Sequence, residues 1–356
     1  LKETNHNLII SSHLFPSSEE LDELMTIINL PLPNQKELKN LIKKIALNTN
    51  SNLDEQVLNE LSSASSGLTE TKVKQVTAKV LTQRGKLSKE DIKDILEEKK
   101  QVIARSEILE FFEAKSSQDD IGGLNVLKVW LNQRYRAFSK EARDYGLPIP
   151  KGVLLVGAQG TGKSLTAKSI SKSWSMPLLK LDVGRLFSSL VGSSEARTRE
   201  TILRAEAMSP CILWIDEIDK GFGGDARSDG GTSQRVLASL LTWMAEKESA
   251  VFVIATANAI DKLPAELLRK GRFDEIFFLD LPNSEERLSI LDLHLKKRRP
   301  SYSFPLSTII DRTDGFSGAE LEQAVIEGMH ISFSENRELM EKDLIKAVSE
   351  LVPLSR

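Results

Sequence analysis

Two short motifs in the second half of the chain carry side chains that could act on a phosphate group. Residues 157–164 read Gly-Ala-Gln-Gly-Thr-Gly-Lys-Ser, the spacing of a phosphate-binding loop. The glycines let backbone N–H groups turn toward phosphate oxygens, and the following helix N-terminus adds a favourable dipole. We expect Lys163 to contact the β- and γ-phosphates and Ser164 to ligate Mg²⁺. The predicted phosphate-binding residues are Gly157, Ala158, Gln159, Gly160, Thr161, Gly162, Lys163, Ser164 and Leu165.

The second motif is an apolar run that ends in two acids, Asp216 and Glu217. Acids often begin the loop after a strand, so this pattern is weak alone. Beside a phosphate-binding loop it predicts a metal ligand, Asp216, and a carboxylate that polarises an attacking water, Glu217. The loop could itself be a chance glycine-rich turn, but it lies between a strand-like and a helix-like segment, as phosphate binding requires. Cys211 opens the apolar run, so we expect it to pack rather than react.

Five short apolar runs, separated by helix-like stretches, must position these motifs. Near-continuous apolar strands are typical of a parallel sheet covered by helices on both faces, so we expect an α/β core over residues 119–282. After Pro282 the spacing of apolar residues becomes helical, which predicts a helical lid over residues 283–356. The predicted strands are residues 152–156, 178–181, 211–215, 251–255 and 275–279.

The first part of the chain, residues 1–113, resembles the end of the second part. The matching pairs are 26–34 with 275–283, 66–69 with 314–317, and 89–92 with 341–344. Chance similarity between two polar helical bundles is the alternative. Duplication predicts that residues 1–113 are the rear strand and lid of a degenerate module, joined by a linker at 114–118. Because a half module leaves sheet edges unpaired, we expect the chain to be part of a longer one.

Composition narrows the function classes. The 356 residues carry 48 basic and 51 acidic side chains, a net charge of −3, which argues against a polycation held to nucleic acid by charge alone. One cysteine excludes an internal disulfide framework and multi-cysteine metal sites, and the four histidines lack ligand spacing. No apolar run reaches the length of about 18 residues that suggests a membrane span. We therefore expect no membrane span and no nucleic-acid partner.

The motifs make residues 119–356 similar to the AAA family of P-loop ATPases. This resemblance implies ATP and ADP as ligands, Mg²⁺ as cofactor, ATP hydrolysis, and assembly into a ring that is usually a hexamer. It assigns adenine contacts to the backbone of Ile121 and Gly122, which belong to the family's opening motif. Asn258 matches the sensor position near the γ-phosphate and the attacking water.

The same resemblance implies that the site is completed by a neighbouring subunit. Arg269 and Arg272 match the arginine-finger segment, so they would stabilise transition-state charge on the neighbour's ATP. Without that context they would be ordinary surface arginines. Gly318 and Ala319 match the lid segment that closes over the nucleotide base. The implied output is remodelling of a partner protein.

Two departures from the family pattern limit this transfer. Leu190 stands where protein-unfolding relatives carry an aromatic pore residue, so we expect a weaker grip on a threaded chain. The front copy has no arginine between Ser11 and Asp22, which predicts a catalytically silent module. Both features favour an alternative, an ATP-dependent oligomerisation switch or scaffold without threading. A nucleic-acid-dependent ATPase is a further alternative. The sequence lacks interleaved aromatic and basic residues, which argues against it.

A degenerate front module followed by one active module also resembles the AAA proteins of cyanobacteria and algal chloroplast genomes. The resemblance includes residues 211–220 and 241–247, Cys-Ile-Leu-Trp-Ile-Asp-Glu-Ile-Asp-Lys and Leu-Thr-Trp-Met-Ala-Glu-Lys. It implies a location in the cytoplasm, or in the chloroplast stroma, and a link to photosynthetic carbon utilisation.

Overall fold

The computed structural model describes residues 32–49, 51, 53–104, 108–112, 122–187, 193–222 and 232–353. The chain divides into two compact units, Leu1–Leu32 and Pro33–Arg356, and the features described below belong to the second. Several predictions fall outside the described residues: residues 26–31 of the first repeat match, the linker at 114–118, the adenine contact of Ile121, the pore residue Leu190 and the arginine-free stretch between Ser11 and Asp22.

A six-stranded sheet forms the centre of the second unit, in the order β1-β3-β4-β5-β2-β6. The five predicted strands are all present and run parallel to one another, which confirms the α/β prediction. Apolar residues fill both faces: every residue of the two central strands β4 and β5 is buried. The strands are β1 (Leu109–Phe112), β2 (Gly152–Gly157), β3 (Leu178–Leu181), β4 (Cys211–Ile215), β5 (Val251–Ala257) and β6 (Glu275–Leu279).

Helices pack on both faces of the sheet and also form two bundles, one before it and one after it in the chain. In the part of the chain that the structure describes, short 3₁₀ turns lie at Lys89–Asp91 and Ile218–Phe222. The helices of the described residues are α1 (Gln35–Asn48), α2 (Glu55–Ser65), α3 (Glu70–Arg84), α4 (Ile92–Ala104), α5 (Asn125–Arg136), α6 (Lys140–Asp144), α7 (Lys163–Trp174), α8 (Val183–Phe187), α9 (Ser193–Ala207), α10 (Thr232–Glu246), α11 (Ser284–Arg298), α12 (Ser307–Ile310), α13 (Gly318–Ser334) and α14 (Glu341–Glu350).

Strand β1 differs from the sequence prediction, which assigned its residues to the front part of the chain. It pairs antiparallel with β3, with Leu109 opposite Leu181, and so belongs to the sheet of the ATPase-like core. Phe112 packs edge-to-face on Trp214, with ring centroids 5.7 Å apart. A four-residue edge strand has too short an apolar pattern to be recognised in the sequence, but pairing its backbone covers the edge of β3.

The residues predicted to be a lid form a C-terminal bundle of four helices, α11–α14, which we call the lid. Asn283 caps α11 with a capping box: its side chain accepts from the Glu286 N–H, and its own N–H donates to the Glu286 carboxylate. Ser317 and Glu320 form the same arrangement at α13. Such caps satisfy backbone N–H groups that no helical carbonyl reaches, so short polar sequences define where the lid helices begin.

The N-terminal bundle, α1–α4, repeats local features of the lid. Asn34 and Glu37 form a capping box at α1, as Asn283 and Glu286 do at α11. Gly67 and Gly315 occupy equivalent turns, with φ of +85° and +79°. Each bundle also contains a buried aspartate that is ion-paired to an arginine: Asp91 with Arg84 in the N-terminal bundle, and Asp343 with Arg337 in the lid. These parallels support the predicted duplication, which stays a prediction.

The N-terminal bundle contacts the core at the end of α9. The Ser66 hydroxyl donates to the Ser209 carbonyl at 2.9 Å. A Cβ placed on Gly67 would lie only 2.4 Å from the Ala207 carbonyl oxygen, so no other residue fits this close approach without displacing the backbone. The turn between α2 and α3 is therefore a docking point of the bundle on the core.

Replacing Gly67 with alanine tests this contact. Gly85 has a similar left-handed φ, +74°, but has no atom within 4 Å of an added Cβ, so Gly85→Ala is a matched control. We expect Gly85→Ala to lower the free energy of unfolding by about 1 kcal/mol, the strain of a left-handed alanine. Gly67→Ala should cost a further ~1–3 kcal/mol through overpacking. Equal losses in denaturant titrations of the two variants would contradict the docking contact.

Candidate active site

A cavity of about 530 Å³ lies between the carboxyl edge of the sheet and the lid, within the 300–1,000 Å³ range usual for ligand sites. Residues from the predicted phosphate loop, the acidic pair and the lid all reach it. The lining residues are Gly122, Leu124, Gln159, Gly160, Thr161, Gly162, Lys163, Ser164, Leu165, Asp216, Glu217, Asn258, Asp280, Pro282, Glu286, Ile290, Leu293, His294, Gly318, Ala319 and Glu322.

Most of the residues predicted from sequence therefore meet at one place. Gly157 and Ala158 do not line the cavity, but their carbonyls accept hydrogen bonds from Lys163. Arg269 and Arg272 are not among the described lining residues.

The loop between β2 and α7 touches the lid through its backbone. Gly160 has φ of +80° and Gly162 of +91°, conformations that L side chains rarely adopt. A Cβ on Gly160 would lie 2.6 Å from the Ser317 hydroxyl, and the Gly160 carbonyl accepts from the Ala319 N–H at 3.2 Å. Glycine is required at position 160 both for the turn and for this contact with the lid.

Lys163 is the cation of the loop. Its ammonium donates to the carbonyls of Gly157 and Ala158 at 2.7 and 2.6 Å, and only 6% of the residue is exposed. Burial lowers the pKa of Lys163, while the carboxylates of Asp219, Asp216 and Glu217 oppose that shift by favouring the charged form.

Asp216 and Ser164 form a pair of hard oxygen ligands. The Ser164 hydroxyl donates to Asp216 Oδ1 at 3.1 Å, which places an alcohol and a carboxylate side by side at the start of α7. Among the described residues, no group of three or more His, Cys, Asp or Glu side chains could hold a metal ion. Mg²⁺ needs no such cage, because it binds one or two carboxylates together with phosphate oxygens and water. The residues present therefore fit Mg²⁺.

Glu217 is held at both carboxylate oxygens. Asn258 Nδ2 donates to Oε1 at 3.2 Å, and the Lys220 ammonium contacts Oε2 at 2.6 Å. The pKa of Glu217 is lowered, first by the hydrogen bond from Lys220 and, more weakly, by that from Asn258, against a raising effect of burial. The Asn258 N–H in turn donates to Asp219 Oδ2 at 3.2 Å. Sensor residue and acidic pair thus share one hydrogen-bonded network.

The far end of the cavity is built by residues that the sequence analysis missed. Glu286, Ile290, Leu293 and His294 lie on one face of α11, at the i, i+4, i+7, i+8 spacing of a helix surface. Arg298 donates to His294 Nδ1 at 3.2 Å. The helical spacing was visible in the sequence, but nothing in it indicated that this face of α11 lines the cavity rather than the lid core.

The two arginines lie on a segment that is anchored at both ends. Leu267 and Phe273 are buried in the core, and Asp274 Oδ2 accepts from the N–H groups of Lys151 and Gly152 at 2.8 and 3.0 Å. Arg269, between the anchors, is exposed. Arg272 donates to the Glu266 carbonyl. The segment is thereby tied to the start of β2 and presents Arg269 outward.

Cys211 is buried and donates its S–H to the Ala205 carbonyl at 3.3 Å. Burial raises the pKa of the Cys211 thiol to about 12, so the thiolate is not formed near neutral pH. The packing role predicted for this residue is confirmed. Among the described residues, no helix is both long and apolar enough to cross a membrane.

Comparison with known proteins agrees with this architecture. Residues 153–281 match the family model "ATPase family associated with various cellular activities (AAA)". Residues 36–106, which span most of the N-terminal bundle, match the model "SpoVK-like AAA ATPase, second domain".

Relatives extend the similarity to the whole chain. The AAA domain-containing protein ycf46 of Pyropia yezoensis is 47% identical over 358 aligned positions, covering 100% of this chain and 73% of the relative. The ycf46 protein of Guillardia theta is 50% identical over 338 positions, covering 94% of this chain and 67% of the relative. An ATP-dependent zinc metalloprotease FtsH of Cyanidium caldarium is 36% identical over 243 positions, 66% of this chain and 39% of that protein. By its fold, its site and these relatives, the chain belongs to the AAA ATPase family and is an enzyme that hydrolyses ATP.

Proposed function

We propose that this ATPase uses Mg²⁺ and arginines of a neighbouring copy to hydrolyse ATP, and that it uses the reaction to remodel a partner protein. One observation carries the proposal: the candidate site is shared between core and lid, down to the backbone contact of Gly160 with Ala319. A nucleotide bound there would touch both parts, so its hydrolysis would change how the lid rests on the core.

The geometry supports a role for several residues within one chain. Lys163 and the loop backbone would hold the phosphates, and Ser164 and Asp216 would hold the metal ion. Mg²⁺, when bound, neutralises charge that builds up on the phosphate oxygens. Glu217, kept ionised by its lowered pKa, would accept the proton of the attacking water, and Asn258 would orient that water.

The arginine contribution would come from another subunit. No described residue that lines the cavity is an arginine, although phosphoryl transfer commonly uses one to stabilise its transition state. Arg269 lies on an anchored segment with its side chain exposed, as a group that reaches into a neighbour must. A closed arrangement of such head-to-tail contacts is a ring, and we propose a hexamer on the family resemblance.

Turnover per subunit over a wide range of protein concentration tests the arrangement. We expect the ATPase activity per subunit to rise with protein concentration. Glu217→Gln and Arg269→Ala should each lower this activity by a factor of ~10² or more. Arg312→Ala, which removes an exposed arginine of the lid, is the matched control and should keep wild-type activity. Mixing the two inactive variants should restore part of the turnover, because each supplies what the other lacks.

Other results would select other functions. Activity that is independent of concentration and of Arg269 would show a site complete within one chain and end the ring proposal. Assembly that follows ATP binding but not hydrolysis would favour the oligomerisation switch. Stimulation by DNA or RNA, lost steeply with added salt, would favour a nucleic-acid-dependent ATPase.

The ion pair of Glu217 with Lys220 predicts a pH effect. Because this pairing lowers the pKa of Glu217, the carboxylate stays ionised to lower pH than an unpaired glutamate would. Lys220→Ala should raise the pKa, so the acid limb of the kcat–pH profile should move to higher pH. Lys79→Ala, an exposed lysine of the N-terminal bundle, is the control. An acid limb that stays in place in Lys220→Ala would contradict Glu217 as the base.

The location is proposed from the relatives, and the organism-level role rests on the family resemblance alone. The ycf46 relatives come from algae, where they are encoded in plastid genomes, which supports a location in the chloroplast stroma or in a corresponding cytoplasm. We propose a link to photosynthetic carbon utilisation. Disrupting the gene should slow growth at limiting inorganic carbon but not at abundant inorganic carbon, and equal growth under both conditions would contradict the link.

A further inference from the structure

One buried hydroxyl lies directly behind the acidic pair. Thr256 is the single polar residue of β5, and none of its surface is exposed. In the parallel register of β4 and β5, Ile215 pairs with Ala255. The residues that follow them, Asp216 and Thr256, therefore lie side by side. The strand order therefore places the Thr256 side chain next to the metal-ligand candidate.

The Thr256 hydroxyl makes hydrogen bonds with the side chain of Asp216 and with the backbone of Glu217. Oγ1 donates to Asp216 Oδ1 at 2.8 Å and accepts from the Glu217 N–H at 2.8 Å. A carboxylate can only accept and an amide N–H can only donate, so the direction of both bonds is determined. Burying a hydroxyl in an apolar strand is unfavourable unless it is bonded in this way, and here its donor and one acceptor position are used.

The bond to the Glu217 N–H lies at an unusual backbone conformation. Glu217 has φ of +51°, in the left-handed region that non-glycine residues rarely occupy and that persists only when the surroundings hold it. This conformation starts the 3₁₀ turn after β4 and brings the Glu217 carboxylate to Asn258 Nδ2. Thr256 is thus one of the contacts that maintain the strained turn.

We propose that Thr256 is a positioning residue, whose hydroxyl holds Asp216 and the backbone of Glu217 in one fixed arrangement. A shift of the Asp216 carboxylate when it takes up a cation would be passed through this hydroxyl to the base. The inference rests on the roles proposed above for Asp216 and Glu217, and it adds a residue that is not among those lining the cavity.

Two substitutions separate the hydroxyl from the volume of the side chain. Thr256→Val keeps the shape and removes both hydrogen bonds, whereas Thr256→Ser keeps the hydroxyl. Thr77→Val is the matched control, because Thr77 is also buried and its hydroxyl donates within α3 to the Val73 carbonyl at 2.7 Å, far from the site. Melting curves establish that each variant folds, and Thr256→Ala replaces Thr256→Val if the valine variant does not.

We expect Thr256→Val to lower kcat by about 10- to 100-fold, the usual effect of losing a group that orients a metal ligand. Mg²⁺ should increase the affinity for a fluorescent ATP analogue. The Mg²⁺ concentration that gives half of this increase should be higher in Thr256→Val than in the wild type. In EDTA, the affinity of Thr256→Val for the same analogue should equal the wild-type affinity. A general structural defect would lower this affinity as well. Thr256→Ser should restore both kcat and the Mg²⁺ dependence, and Thr77→Val should change neither.

Wild-type kcat and Mg²⁺ dependence in Thr256→Val would overturn the inference, as would a loss that Thr256→Ser shares. These results are distinguishable from failure of the proposed function. If the wild-type chain does not hydrolyse ATP at any concentration, the proposed function fails, yet the Mg²⁺-linked ATP affinity of the variants still decides whether Thr256 positions Asp216.

Discussion

The hydrogen bonds of Asp216 Oδ1 are the interaction on which the rest of the site depends. This oxygen accepts from Ser164 at the start of α7 and from Thr256 on β5, so a helix and two neighbouring strands meet at one atom. The meeting is possible because parallel strands all end at the same edge of the sheet, where loops bring polar groups together. If β4 and β5 were shifted by one residue, every side chain would change face and the hydroxyl would point into the opposite layer.

The lid contributes to the site partly through short-range polar contacts. Capping boxes define the starts of α11 and α13, and the start of α13 brings the Ala319 N–H to the Gly160 carbonyl. A single backbone hydrogen bond of this kind contributes about 1 kcal/mol, so it can be broken and re-formed as the occupant of the cavity changes. The arrangement suits an enzyme whose output is relative movement of lid and core.

The N-terminal bundle contributes to the core without contributing to the cavity. The turn at Gly67 packs against the end of α9, and β1, the strand that follows the bundle in the chain, covers the edge of β3. Lys99 on α4 is almost fully buried, and burial lowers the pKa of its ammonium to about 8. None of the described residues of the bundle lines the cavity.

Local chemistry in the sequence determined much of this protein. The glycine spacing of the phosphate loop and the acids that follow β4 act over a few residues, and the structure brings both motifs to the cavity. Only the tertiary structure decided the features that join distant segments. β1 is too short to show a pattern, and one face of α11 lines the cavity because the lid folds over the loop. Thr256 reads in sequence as one more β-branched strand residue; the register of β4 and β5 makes it the partner of Asp216 and Glu217.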